Sequence, residues 1–442
     1  MPTRQARSHL DLLIQAAIRA GNPGEALSKS WHRVAPFFSR DPVYMLAVGK
    51  ASVEMAITAA ELLEEGLVDG LVVAVPDAAH RLHKPNIRVL DADHPLPTTR
   101  NVDAARASLG FVSSVPANAT LLVLVSGGGS AHLTLPVAGI TLDDIRTITA
   151  ALQNAGTTIE QLNTVRKHCE LLKGGRLAAS CHAHRIVSLV LSDVQDDRLD
   201  VISSGPTAPD PSTFADALAV IERHRLLDVA PGITRHLRQG LAGEHPETPK
   251  PGDPSLARVH HFVIANNLTA KDAVSDAARR LGYFVARDHR FISGGASVEG
   301  RRLGATLRRL ALSQQRTCFV AGGEPVVNVG SATGWGGPSQ ELALAAALEL
   351  DDTQGALLAC VSTDGVDGPP PPSGSPHAGA CVSGETAQLS REAGHDPAAA
   401  LAAHDSGSFF SHATPTSHAI ITGPTGTNIN HVVIGLLVSD RR

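Results

Sequence analysis

Short runs rich in Val, Leu and Ile recur along this 442-residue chain and alternate with longer stretches whose apolar positions carry helical spacing. That rhythm predicts an α/β fold, a mostly parallel sheet with helices on both faces. In the first half, Tyr44 to Val48, Leu71 to Val75, Leu121 to Ser126 and Ile186 to Ser192 predict strands, and each run closes on Gly, Ser, Pro or Asp. Open α/β sheets bind ligands just beyond the carboxyl ends of their strands, so the polar residues there are the first place to look for a site. Around Gly240 to Pro254 the chain turns to Gly, Pro and charge, which breaks the periodic pattern and predicts a boundary between domains at 1–245 and 255–442. Beyond it, strands at His261 to Ala265, Thr317 to Ala321, Leu357 to Val361 and His418 to Thr422, with a helix from about Thr269, predict a second α/β domain. The proline-rich stretch Gly368 to Pro376 can be neither helix nor central strand.

Composition narrows the classes. Hydrophobic residues make up 43% and charged residues 18%, a globular balance. A formal charge of -5, with no basic run interleaved with aromatics, gives no reason to expect nucleic acid. The apolar runs fall far short of the roughly 20 residues of a membrane span, so no membrane partner is expected. Met1 to Gln5 lacks the apolar segment of a secretory signal, and five widely spaced cysteines form no CxxC pair. A cytoplasmic location is the expectation.

Six segments carry candidate chemistry. Gly49-Lys50-Ala51-Ser52 follows the first strand, so Lys50 stands at a helix N-terminus where its charge and backbone N–H groups could meet phosphate; a solvated lysine would read the same. Ser126, Gly127, Gly128, Gly129 and Ser130 follow the third strand. Three glycines let the backbone approach an anion closely, although a tight turn alone would also use them, and the Walker A ending is absent. In the segment from Asn163 to Ala178, helical spacing puts Arg166, Lys173 and Leu177 on nearly one face, with Gly174-Gly175 permitting a kink; solvated charge is the alternative. Asp193, at the end of the fourth strand, is placed to accept a hydroxyl proton or to hold Mg²⁺, whereas Asp196, Asp197 and Asp210 read better as caps. Asp364 and Asp367 lie on a glycine-punctuated loop that suits a metal-phosphate site or an Asx-turn. The sixth segment, Thr422 to Asn428, offers hydroxyl and amide donors through Thr425 and Asn428. The 21 histidines show no cluster at metal-ligand spacing, and no GxSxG elbow supports a hydrolase.

Taken in order, AVGKAS, LVSGGGSA, NTVRKHCELLKGGRLA, LSDV with SSGPTAPDPST, GGEPVVNV, QELALA, STDGVDG with HAGA, HDSGSFF and TGPTGTN resemble the glycerate 2-kinase (MOFRL) family, some of whose members carry the name hydroxypyruvate reductase. The resemblance runs from about Ala47 to Ile434. It implies a Rossmann-like N-terminal domain, a smaller α/β C-terminal domain, a site in a cleft between them, and γ-phosphoryl transfer from ATP with Mg²⁺ to the 2-hydroxyl of D-glycerate. The partners it implies are a small hydroxy acid and a nucleotide, with a homodimer left open. Carried onto this chain, Lys50 stabilises the transferring phosphate and Ser126 to Ser130 cradle an anion. Asp193 stands by the substrate as base and metal ligand, and Asp364 is its catalytic and metal-binding counterpart. Lys173, Glu324, Thr425 and Asn428 bind the nucleotide, and Arg166 and Asn266 the acid.

Three departures qualify that picture. Family members read GGRNQE where this chain has Gly336-Gly-Pro-Ser-Gln-Glu341, so Pro338 replaces an expected arginine. The proline-rich loop after Asp367 is longer than usual, and His431 stands where an Asp often follows. Losing an active-site cation removes several kcal/mol of transition-state stabilisation, by order of magnitude. A changed substrate, or a homologue that binds nucleotide or an organic anion without turnover, is the alternative, with Arg166 or Arg176 as replacement cations. An NAD-dependent reductase ranks last, because no GxGxxG follows the first strand.

Overall fold

The computed structural model describes residues 4–38, 41–76, 78–371, 374–412 and 418–438. The chain divides into two compact units, Ala26–Ile264 and Met1–Glu25 with Ala265–Arg442. This differs from the expected spans of 1–245 and 255–442 at both ends. The helix Arg4–Ala20 buries Leu10, Leu13, Ile14 and Ala17, and its His9 ring nitrogen lies 3.0 Å from the Tyr283 hydroxyl. Gly21 accepts a hydrogen bond from the Thr427 hydroxyl. The Gly/Pro-rich stretch after Leu241 is held inside the other unit, because Glu247 accepts the Phe214 N–H at 2.9 Å and meets His168 at 3.0 Å.

In the Ala26–Ile264 unit the strands are β1 (Val43–Val48), β2 (Leu67–Ala74), β3 (Ile87–Asp91), β4 (Thr120–Val125), β5 (Arg185–Leu191) and β6 (Val259–Ala265), in the order β3-β2-β1-β4-β5-β6. The pairs β1–β2, β1–β4, β2–β3 and β4–β5 are parallel. This is the Rossmann order: successive strands are added toward one edge from β1 to β3 and toward the other from β4 onward, so the order reverses between the parallel neighbours β1 and β4. Every residue of β4 is buried, which is why the sequence reads there as an unbroken apolar run. Leu46, Val48, Leu121, Val123, Phe111 and Leu177 share the main core. A second cluster, with Ile148, Leu162, Phe214 and Leu237, is built mainly by helices and contains no strand residue.

The other unit carries β7 (Phe284–Gly295), β8 (Thr317–Val326), β9 (Ala356–Ser362), β10 (Gly379–Ser383), β11 (His418–Ile420) and β12 (His431–Leu437), ordered β11-β10-β9-β12-β8-β7. Here only β7–β8 is parallel; β8–β12, β12–β9, β9–β10 and β10–β11 are antiparallel. The expected parallel rhythm therefore holds in one unit and gives way to a mixed sheet in the other. β10 is fully buried, yet its sequence Gly-Ala-Cys-Val-Ser has no long aliphatic run to announce it. Of the loop Gly368 to Pro376, Pro372 and Ser373 lie outside the described residues. No described helix is long and apolar enough to cross a membrane.

Candidate active site

The Rossmann-type sheet positions the candidates of the Ala26–Ile264 unit. β1 ends in Gly49, whose φ of 110° is left-handed, and Lys50 leads into the helix Ser52–Leu63. β4 ends in Ser126 and the glycine turn. The two turns are laced together across the strand reversal: Lys50 N–H donates to the Gly127 carbonyl at 2.9 Å, and Ala51 N–H donates to Ser126 Oγ at 3.1 Å. The Ser203 hydroxyl donates to the Ser126 carbonyl at 2.8 Å. Ser126 is therefore buried as a brace between loops, while the Lys50 side chain is exposed.

Side chains occupy the Cβ direction of each glycine in the turn. A Cβ on Gly127 would collide with the Asp193 carboxylate, and one on Gly129 with the Ser203 hydroxyl. At Gly128 (φ 88°) it would stand 3.1 Å from the His94 ring and 3.2 Å from Lys50 Cγ. The geometry thus brings Lys50, the three glycines, Asp193, Ser203 and His94 together, and only glycine fits the turn. Burial pushes the Asp193 carboxyl above the usual carboxylate range, while Lys50 pulls it back. His94 is absent from the expected set. The available signal was its place just after β3, the same strand-end position as Lys50, Ser126 and Asp193.

Behind the turn lies a buried ionic frame. The Ser130 carbonyl accepts from Arg166 Nη2 at 2.9 Å and from Lys173 Nζ at 2.8 Å. Lys173 also donates to the Leu133 carbonyl at 3.2 Å and to Glu170 at 2.7 Å, and Arg166 Nε meets Glu170 at 3.4 Å. Lys173 is wholly buried with its three donors spent, and burial, partly offset by Glu170, lowers its pKa to about 8. Lys173 and Arg166, expected to bind nucleotide and acid, are placed here as supports of the turn. Glu170 was legible as the residue three before Lys173 and four after Arg166. The segment is also not one helix. The helix Ile159–Cys169 stops, Gly174 and Gly175 take φ of 57° and 81°, and a short helix Arg176–Ala179 follows. The Ser130 hydroxyl lies 2.7 Å from that of Ser204, which donates to Asn163 Oδ1 at 2.9 Å.

Two candidates turn out structural. Asp210 is buried and accepts from Lys167 at 3.3 Å, Ser212 at 2.6 Å and Thr248 at 3.0 Å. Burial would raise its pKa, but Lys167 and Ser212 outweigh it and hold the carboxyl below its ordinary range. Arg176 donates to the Pro246 carbonyl at 3.5 Å, within the same unit.

The mixed sheet gathers its candidates differently. His431, the first residue of β12, pairs with Gly323 of β8 and with Ser362 of β9. Because β12 runs antiparallel to both, its N-terminal end shares a sheet edge with the C-terminal ends of β8 and β9. That edge collects exposed Glu324, Asp364 and the Thr425–Asn428 loop. Asp364 accepts from the Ser362 hydroxyl at 2.7 Å and the Val366 N–H at 2.9 Å, an Asx-type turn. Thr425 N–H donates to the Asp364 carbonyl at 3.1 Å, and the Thr425 hydroxyl to the Thr363 carbonyl at 2.6 Å. Asn428 Oδ1 accepts the Asn430 N–H at 3.0 Å. Asn266 caps the helix Asn267–Arg280 by accepting Thr269 N–H at 2.9 Å, and Asn267 donates to the Ile429 and His431 carbonyls at 3.0 Å.

The departures fall beside that edge. Pro338 is the first residue of the helix Pro338–Glu349, where a missing N–H has no consequence. Asp367 accepts Ser339 N–H at 2.8 Å and Gln340 N–H at 2.9 Å, so this wholly buried carboxylate caps the helix from a distant loop. Burial pushes its pKa up, opposed by His431 and those N–H groups. His431 Nδ1 lies 2.7 Å from Ser339 Oγ and 3.9 Å from Asp367. Burial holds the imidazole below its ordinary range, although Asp367 and Asp364 pull upward. Pro338 thus immediately precedes the network of Ser339, Gln340, Asp367 and His431, and neither it nor His431 supplies the cation that arginine would.

Among the described residues no group of three or more His, Cys, Asp or Glu could cage a metal. Single carboxylates such as Asp193 and Asp364 suit Mg²⁺ that arrives on phosphate and keeps its waters, while the donor set excludes a dedicated protein cage. Two hollows in the Ala26–Ile264 unit, about 360 Å³ beside Arg235 and Arg238 and about 380 Å³ beside Thr99 and Arg106, contain none of these residues.

The chain resembles known proteins over nearly its whole length. Residues 9–238 match the family model described as a domain of unknown function, DUF4147, and residues 317–431 match the MOFRL family. The chain is 35% identical to a glycerate 2-kinase of Pyrococcus horikoshii, covering 97% of each. It is also 35% identical to a D-glycerate 2-kinase of Thermotoga maritima, covering 96% of this chain and 97% of that one. The crystal structure of glycerate kinase from Thermotoga maritima superposes with a TM-score of 0.88 at 34% identity, covering 99% of this chain and 100% of that one. With relatives this similar over nearly its full length, the chain belongs to the MOFRL family of glycerate 2-kinase-type enzymes, phosphotransferases with an alcohol group as acceptor.

Proposed function

We propose that this enzyme transfers the γ-phosphoryl group of ATP to a hydroxyl of a small hydroxy acid, with the 2-hydroxyl of D-glycerate as first choice. The observation that carries this reading is the convergence of Lys50 and Asp193 on a turn that tolerates only glycine, at the strand reversal of a Rossmann-type sheet. Phosphoryl transfer asks mostly for positioning and positive charge. Lys50 offsets charge on the transferring group, and the Gly127–Gly129 backbone lets an anionic oxygen approach. Asp193 accepts the proton of the attacking hydroxyl, and its raised pKa makes it a stronger base than an exposed carboxylate.

The names of the relatives supply the substrate class. In the second unit, Glu324, Thr425 and Asn428 contribute polar contacts to the nucleotide and Asn266 to the acid. Mg²⁺, held through Asp193 or Asp364 and the phosphates, supplies charge neutralisation. Pro338 in place of arginine supports a second reading, an altered homologue that binds without turnover.

The test is ADP release by purified protein with Mg²⁺-ATP across a panel of hydroxy acids headed by D-glycerate, with Lys50→Ala as control. Turnover of glycerate that Lys50→Ala abolishes supports the kinase and shows that Pro338 is tolerated. Turnover of a different acid alone redirects the substrate. Binding of nucleotide with no ADP release from any acid favours the second reading.

A further inference from the structure

We propose that His94 contacts the ligand of this site directly, offering its imidazole to an anionic oxygen held at the Gly127–Gly129 turn, and that buried His132 sets the position of that ring. The inference rests on the phosphotransferase reading above and adds two residues to it. His94 follows β3, and its ring lies over Gly128 beside Lys50, so both side chains reach the turn through space that any Cβ there would take.

Its loop is held rigidly. Buried Asn101, on the helix Thr99–Ser114, accepts Asp93 N–H at 3.0 Å, donates to the Asp93 carbonyl at 2.9 Å and donates to the Ala131 carbonyl at 2.9 Å. One amide therefore ties the residue before His94 to the residue before His132. A site built on fixed loops holds its donors in place before the ligand arrives.

His132 supplies the independent observation. It is wholly buried, yet neither ring nitrogen has a hydrogen-bonding partner in good geometry, the Val73 carbonyl being the backbone group nearest to serving as one. Its ring stands edge-on to His94, centroids 6.3 Å apart at 87°. A buried polar group left unsatisfied is destabilising, and an apolar residue would fill the same space without that penalty. Its retention fits a role in placing His94.

Both imidazoles are uncharged at neutral pH. Burial first, then Lys50, lowers the His94 pKa to about 4; burial first, then His94, does the same for His132. His94 thus adds a directed hydrogen bond beside Lys50 without a second positive charge. The anionic oxygen belongs either to the phosphoryl group or to the carboxylate of the acid.

The test is steady-state kinetics of wild type, His94→Leu, His94→Gln and His132→Leu, with KM measured separately for ATP and for the acid, and with imidazole NMR of the same proteins. We expect His94→Leu to raise one KM tenfold or more, His94→Gln to recover most of the loss, and His132→Leu to move the His94 resonance and the same KM in the same direction. A change in the KM for ATP assigns the phosphoryl oxygen, and a change in that for the acid assigns the carboxylate. If wild type turns over and both His94 variants stay within twofold of it, the inference is wrong while the kinase reading stands. If wild type is silent with every acid, the kinase reading fails, and titration with inorganic phosphate decides the inference: a shifted His94 resonance supports it and an unmoved one overturns it.

Discussion

The two sheets gather their candidate residues by opposite routes. In the Ala26–Ile264 unit the site residues follow the C-terminal ends of parallel strands, so Lys50, the glycine turn, Asp193 and His94 come after β1, β4, β5 and β3. In the other unit β12 runs against β8 and β9, and its N-terminal end brings Asn428 and His431 to the edge where Glu324 and Asp364 emerge. The supports differ as well. The glycine turn rests on a buried ion cluster, whereas the Asp364 loop rests on a carboxylate that caps a helix. A parallel sheet declares its site edge from sequence alone; a mixed sheet does so only after strand directions are known.

Five changes test this contrast. Lys50→Ala should lower kcat on the order of 10³-fold, about 4 kcal/mol, as removal of one preorganised charge does, with the melting temperature nearly unchanged because Lys50 is exposed. Glu170→Gln should destabilise by about 3 kcal/mol or more in denaturant unfolding, since it leaves Lys173 and Arg166 buried without their counter-charge. Replacing Glu170 and Lys173 together with Leu and Met should recover much of that loss, which would show that the cluster specifies the turn more than it stabilises the unit.

Asp367→Asn should cost about 1–3 kcal/mol in the same measurement, because one amide oxygen cannot serve both helix N–H groups as the carboxylate does. The last effect grows as the pH falls. His132 stays neutral in the folded protein down to about pH 4, while the unfolded chain protonates near 6.5. Its contribution is complete above about pH 6.5 and is lost as pH falls from there through about 4. His132→Leu should flatten the melting temperature against pH over that range and raise it slightly at pH 7.5, where the unsatisfied ring is removed.

Much of the first unit was legible, since β1, β2, β4 and β5 are continuous aliphatic runs ending in Gly, Ala, Ser or Asp, and the triple glycine stood out. What it withheld was depth. Lys173 and Arg166 read as ligand-facing cations because helical spacing cannot show that the helix stops at Cys169 and that Glu170 and the Ser130 carbonyl engage both side chains. His94 was passed over because an isolated His-Pro pair carries no spacing signature. In the second unit β7, β10 and β12 were unannounced: charged residues from Arg287 to Arg290 interrupt β7, β10 is short and built of small residues, and β12 was passed over despite its aliphatic run, so the edge shared by Glu324, Asp364 and Asn428 was available only from the family resemblance. The link between Ser339 and His431 spans 92 positions and leaves no local pattern.

The most direct measurement of the central claim is ³¹P NMR of D-glycerate and Mg²⁺-ATP incubated with the purified protein. The account predicts a new phosphomonoester resonance coupled to the C2 proton, growing as ATP gives way to ADP and absent with Lys50→Ala. Loss of ATP with only inorganic phosphate appearing, or a phosphomonoester that forms equally well with Lys50→Ala, would contradict it.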